Sequence, residues 1–178
     1  MKCIIAVLLI MLCSSCSAVP PDNKYLNDQY GFSLMVPDRV VQCRDESPAP
    51  NHGLFVLLDS TSCQLMKDSV AKILVYADYN VINEARSSNE LALAECKTKD
   101  SNTKFTVSNV LVNGVPSTQC MWKENGGKVV IRIFSQLPQG NDPSQWINLE
   151  SRLDTQENRL QDDKKLFDLI VNSLSITK

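Results

Sequence analysis

Histidine is nearly missing from this chain: His52 is the only one in 178 residues. Acid–base chemistry near neutral pH uses imidazole more than any other side chain. An enzyme built here would rest on His52 or on carboxylates alone. Cysteine–histidine catalysis would need a free thiol beside His52, and the nearest cysteine in the chain, Cys43, is expected to be oxidised. The G-x-S-x-G elbow, the P-loop and the dinucleotide fingerprint are absent, which removes the commonest hydrolase, nucleotide and cofactor signatures. No cofactor is expected. No basic block occurs either: 18 Lys and Arg are interspersed with 20 Asp and Glu, for a net charge of −2. A nucleic-acid surface needs clustered positive charge, so no nucleic-acid partner is expected. No repeat or low-complexity tract suggests a solenoid or a linker array.

The longest apolar run is Cys-Ile-Ile-Ala-Val-Leu-Leu-Ile-Met-Leu, residues 3–12. It is too short to span a bilayer, which takes roughly 20 apolar residues. It has the length of a signal-peptide h-region, preceded by Lys2 and followed by the small residues Ser14, Ser15, Ser17 and Ala18. Two processing routes fit. Signal peptidase could cut after Ala18. Alternatively, "LCSSC" resembles the lipobox of bacterial lipoproteins, which implies lipidation at Cys16 and a membrane anchor. The second route is preferred, and "PPDNK" then reads as a tether. The expected division is a leader over 1–18, a tether over 19–26 and one domain over 27–178. A mature chain of about 160 residues suits a single core.

Either route leaves Cys43, Cys63, Cys96 and Cys120, an even number in a compartment that permits disulfides. They contain no C-x-x-C and have one histidine to help them, so no metal site is expected. Proximity along the chain favours Cys43–Cys63 and Cys96–Cys120, each closing a loop of roughly 20 residues.

Period-2 alternation marks a strand in "YGFSLMVP"; "RVVQC", "LFVLLD" and "SVAKILVYADY" read as further strands, the last apolar on both faces over Ala71 to Ala77 like a doubly covered strand. Ser87 and Glu90 form a capping box for a short helix presenting Leu91, Leu93 and Ala94. "KFTVSNVLV-NG-VPSTQCMW" is a hairpin with Asn113-Gly114 at a type I′ turn. "ENGG" turns the chain again into "KVVIRIFSQL". "WINLESRL", with Ile147, Leu149 and Leu153 on one face, reads as the last strand. A helix over about 159–173 buries Phe167, Ile170 and Leu174 and keeps Asp162, Asp163, Lys164, Lys165 and Asp168 wet. The fold class is α+β: an antiparallel sheet with a short middle helix and a C-terminal helix.

The order of elements is similar to that of the PsbP-like group, the photosystem extrinsic proteins and bacterial envelope lipoproteins of similar fold. "YGFSLMVP" (30–37), "VNGVPSTQCMW" (112–122) and "LFDLIVNSLSI" (166–176) carry the resemblance. It implies an α/β/α sandwich. These are core and turn residues, so it implies no catalytic set.

Other patterns carry weaker chemistry. Ser69/Lys72 and Ser101/Lys104 spell S-x-x-K, but Ser69 opens a strand, where residues three apart face opposite ways. Asp154, Glu157, Asp162 and Asp163 could hold calcium, though a solvated helix start explains them without a turn glycine. Trp122, Trp146, Tyr76 and Tyr79 are expected as strand packing. The expected function is a non-enzymatic, exported, membrane-tethered domain with a protein partner in the envelope or periplasm. An immunity protein or inhibitor, and an envelope hydrolase, are the alternatives.

Overall fold

A computed structural model describes residues 22–44, 52–65, 68–79, 87–96, 103–138 and 146–177. The segment expected as a leader, Cys16 and Ser101 lie outside them. Among the described residues ten strands form two sheets, and the strand pairings are antiparallel. The single sheet expected from the sequence is therefore divided. The smaller sheet has the order β1-β2-β10, with β1 at Asp22–Asn27, β2 at Phe32–Pro37 and β10 at Ser175–Ile176. The larger has the order β3-β4-β5-β9-β8-β7-β6. Its strands are β3 (Val41–Arg44), β4 (Gly53–Leu57), β5 (Lys72–Tyr79), β6 (Phe105–Val112), β7 (Val115–Lys123), β8 (Lys128–Leu137) and β9 (Ile147–Gln156).

Two expectations fail at the chain's edges. Residues 22–26 are not tether: they belong to β1, because Tyr25 turns into the core while Lys24 and Leu26 face out. Strand β9 is not the last, since Ser175 and Ile176 pair with Ser33 and Phe32 of β2.

Helix α2 (Leu160–Asn172) packs with β2 against one face of the large sheet. Tyr25, Phe32, Leu34, Val56, Ile73, Val75, Ile131, Leu149, Leu153, Phe167 and Ile170 fill the space between them. Phe167 and Ile170 are fully buried, and Leu174 nearly so. Asp163, expected in solvent, is buried: it accepts hydrogen bonds from the Thr155 hydroxyl and from Arg159 (3.2 Å). Those two donors offset the cost of removing a carboxylate from water.

Helix α1 (Ser88–Glu95) lies on the opposite face, over β7 and β8. Ser87 Oγ accepts from the Glu90 N–H (3.2 Å), and the Glu90 carboxylate accepts from the Ser87 N–H (2.7 Å). Leu91 packs half-buried against the sheet beside the fully buried Ala92, while Leu93 and Ala94, also expected inward, are exposed. Ala92, Cys96, Cys120, Trp122, Val130 and Phe134 make a second, smaller core. The layers are thus α/β/α.

The β6–β7 hairpin turns at Asn113 (φ 44°) and Gly114 (φ 83°). Both positive angles suit the type I′ geometry that asparagine and glycine tolerate. Asn113 Nδ2 also donates to the Leu174 carbonyl (2.7 Å), tying the hairpin tip to the end of α2. Gly53 is required for a different reason: a Cβ there would run into the Val75 backbone carbonyl.

Candidate functional site

The two faces of the large sheet differ. Strands β5 and β9 are central, and their core-facing residues Ile73, Val75, Leu149, Ser151 and Leu153 are buried. Their other face carries four cross-strand pairs in register: Lys72 with Asp154, Leu74 with Arg152, Tyr76 with Glu150 and Asp78 with Asn148. Except for Asp154, these residues are half-buried or exposed. Among the described residues the double coverage expected for β5 is not found. Helix α1 covers β7 and β8 instead, and the 3-10 turn Cys63–Leu65 sits by β3. Among the described residues, a trough runs between them over β5 and β9.

The trough has two hollows. One of about 200 Å³ is lined by Phe55, Lys72, Leu74, Arg152 and Asp154. The next, of about 280 Å³, is lined by Tyr76, Asp78, Leu91, Glu95, Phe134, Asn148, Leu149 and Glu150. Larger hollows lie elsewhere, about 440 Å³ beside the start of α1 and about 500 Å³ against the outer side of α2. Volume does not decide between them. The trough stands out because its charged side chains are held in place.

Arg132, the hub of that order, comes from β8. Its guanidinium donates to both oxygens of Glu150 (2.6 and 2.7 Å) and to the Glu95 carbonyl at the end of α1 (2.8 Å), and it lies 5.0 Å from the Phe134 ring centre. Burial alone would lower its pKa, but Glu150 and Glu95 outweigh that and hold it above the usual value. A cation at a helix C-terminus is favourable, so Arg132 fixes α1 as well as Glu150. At the other end Arg152 donates to Asp154 (2.7 and 3.2 Å), and Lys128 lies 3.5 Å from the same carboxylate. The two hollows differ in charge: Lys72, Arg152 and the Asp154 carboxylate line one, while Asp78, Glu95 and Glu150 line the other.

The four cysteines are brought together in two pairs, Cys43–Cys63 and Cys96–Cys120, with Cα separations of 5.6 and 6.4 Å. The first ties the 63–65 turn to β3. The second ties the end of α1 to β7. The disulfides therefore anchor both banks of the trough.

His52 is not an exposed loop residue. It is half-buried, stacked on Tyr76 with ring centres 5.0 Å apart, and its Nδ1 lies 2.8 Å from the Tyr30 hydroxyl and 2.9 Å from the Ala77 carbonyl. The tautomer sets which contact is a hydrogen bond of Nδ1: protonated, it donates to the Ala77 carbonyl, and unprotonated, it accepts from the Tyr30 hydroxyl. Burial, with Asp78, Tyr76 and Tyr79, raises Tyr30 to about 12. Sequence reading missed Tyr30 as the partner, and no spacing rule links residues 22 positions apart across two sheets.

Ser69 Oγ donates to Asp59 and to the Ala71 carbonyl (2.9 Å). Burial pushes the Asp59 carboxyl up, but hydrogen bonds from Ser69, Val70 and Ala71 and the charge of Arg159 outweigh it and hold Asp59 below the usual range. Lys72 does not join this group: it lies in β5, opposite Asp154. The acidic cluster is also divided. Asp154 faces the trough with Arg152, Asp163 on α2 faces Thr155 of β9, and Glu157 pairs with Lys123. Among the described residues no group of three or more His, Cys, Asp or Glu is placed to hold a metal. Trp122 packs in the smaller core and donates to Glu124 (3.2 Å). Tyr79 is exposed, with its hydroxyl 3.3 Å from the Gln29 carbonyl.

No protein-family model matches the chain, and no curated protein matches it. Solved structures do. The cyanobacterial PsbP, CyanoP, from Synechocystis aligns with a TM-score of 0.57 at 11% identity, covering 92% of this chain and 96% of its own. LpqN, involved in cell envelope biogenesis of Mycobacterium tuberculosis, aligns with a TM-score of 0.57 at 16% identity, covering 88% and 91%. Sequences this different share architecture rather than sites. By its strand order, its two helices and these alignments, the chain has the fold of the PsbP-like group.

Proposed function

We propose that this chain is an exported, non-enzymatic accessory protein of the bacterial cell envelope, tethered by lipid at Cys16, that binds an envelope protein through the trough over β5 and β9. The observation that carries the reading is the trough itself: a stretch of two central strands that no described element covers, with charges pre-ordered by Arg132 and Arg152. Groups already held in place lose little freedom on binding. Both disulfides fit an exported compartment. The fold neighbour LpqN, described as involved in envelope biogenesis, fits the same setting. The carboxylate beside Ser69 is held below its usual pKa, which makes it a weaker base.

The test is photo-crosslinking in the native envelope. A photoreactive residue at Leu74, on the trough floor, should capture a discrete partner, whereas one at Leu169, exposed on α2, should not. Equal capture from both, or none from Leu74, overturns the reading. Mass spectrometry of the mature N-terminus tests the anchor: an acylated Cys16 is expected, and a chain beginning at Val19 contradicts it. His52→Ala, Ser69→Ala and Ser101→Ala should leave the phenotype untouched. Loss of function from any of them, with folding intact, would favour the hydrolase.

A further inference from the structure

The sheet edges of this molecule are not equally protected. An edge strand offers unpaired N–H and C=O groups to any extended chain, and proteins usually blunt such edges with charge, proline, bulges or brevity. Strand β3 has four residues, ends in Arg44 and carries the Cys43 disulfide. Strand β10 has two residues, and β1 carries Asp22 and Lys24. Strand β6 has none of these devices. Its eight residues, FTVSNVLV, contain no charge, proline or glycine. Among the described residues nothing pairs with its outer edge.

Its side chains show what fits there. Val107, Asn109 and Leu111 stand opposite Cys120, Thr118 and Pro116, on the side of the sheet that carries α1. Val107 is 36% exposed, and Leu111, at 69%, is more exposed than any other large apolar residue described. The two lie symmetrically about Asn109. A hollow of about 440 Å³ leaves the α1 side of Leu111 open.

We infer that β6 is a homodimer edge, pairing antiparallel with β6 of a second copy about a two-fold axis at Asn109. In that register Val107 meets the partner's Leu111, Leu111 meets the partner's Val107, and the two Asn109 amides face each other. The same patch serves both copies, as a two-fold interface requires. Lys104 falls beyond the paired segment, so no like charges meet. Two seven-stranded sheets become one continuous sheet, and both troughs remain uncovered.

The test uses the mature chain with both disulfides intact. Light scattering over a concentration series should show a monomer–dimer equilibrium. Val107→Lys, at an exposed position the monomer tolerates, should weaken dimerisation roughly tenfold or more, since two cross-strand pairs are lost. Asn109→Cys should form a covalent dimer on mild oxidation, because directly opposed residues on paired strands lie within disulfide reach. Asn172→Cys, exposed at the end of α2, should not. A monomer at every concentration overturns the inference. So does a dimer indifferent to Val107→Lys, or a monomer that instead binds a foreign extended peptide along β6.

Discussion

The two faces of the seven-stranded sheet divide the work of the molecule. The face toward α2 is sealed by aliphatic and aromatic side chains, and its buried polar groups, such as Thr155 and Asp163, satisfy each other. Among the described residues the opposite face is closed over β7 and β8, and its central strands carry partly buried ion pairs. Buried apolar area stabilises a fold in proportion to its extent, whereas the attraction within a partly buried ion pair is largely offset by the cost of desolvating it. Stability should therefore reside on the first face and recognition on the second, and substitutions can separate them.

The largest effect belongs to the sealed face. Phe167→Ala removes a fully buried ring and should cost about 3–5 kcal/mol in urea unfolding. Leu74→Ala on the trough should cost about 1 kcal/mol or less, because that side chain is only half-buried. Similar losses from both would erase the distinction.

The trough's banks come next. Replacing Cys96 and Cys120 together by alanine should cost roughly 3 kcal/mol, the loop-closure value for the 24-residue separation. It should also loosen α1, which hydrogen exchange of the 88–96 amides would detect. Unchanged protection there would mean that Arg132 alone holds the helix.

Tyr30 sharpens the comparison from the sealed side. Its folded pKa of about 12 exceeds the ordinary value of 10, so the neutral phenol is favoured by folding. That contribution is complete below pH 10 and is lost as pH rises from 10 to 12, by roughly 2–3 kcal/mol. Tyr30→Phe should cost about 1 kcal/mol at neutral pH through the lost His52 contact, yet flatten the alkaline limb. Parallel pH curves for the two proteins would contradict the assignment.

The smallest effect is at Asp59. Its folded pKa is depressed, so its contribution is present above about pH 4 and fades as pH falls below. Asp59→Asn should change stability by about 0.5 kcal/mol or less, because solvent screens an exposed carboxylate, and should soften the acid limb.

The sealed face was largely legible in the sequence, and the trough was not. Phe167, Ile170 and Leu174 recur at helical steps, and Ile147, Leu149 and Leu153 alternate, so a local period reports their burial. Asn113-Gly114 and the Ser87–Glu90 box are likewise local chemistry. The trough depends on partners far apart in the chain: Arg132 with Glu150 and with the Glu95 carbonyl, and Tyr30 with His52. No period encodes such pairs. The run from Ala71 to Ala77 reads as covered on both sides because Leu74 and Tyr76 are apolar or aromatic, and composition does not say whether a helix lies above them. Asp163 misleads for the converse reason. Its helical position looks wet, and only the strand carrying Thr155 makes it dry.

The most direct test of the separation is one substitution read in two ways. Leu74→Glu places a carboxylate on the trough floor opposite Arg152, a cross-strand neighbour that tolerates it. The account predicts a melting temperature within a few degrees of the unsubstituted protein, together with loss of the envelope partner captured by the native chain. Undiminished capture of that partner by a folded Leu74→Glu protein would contradict it.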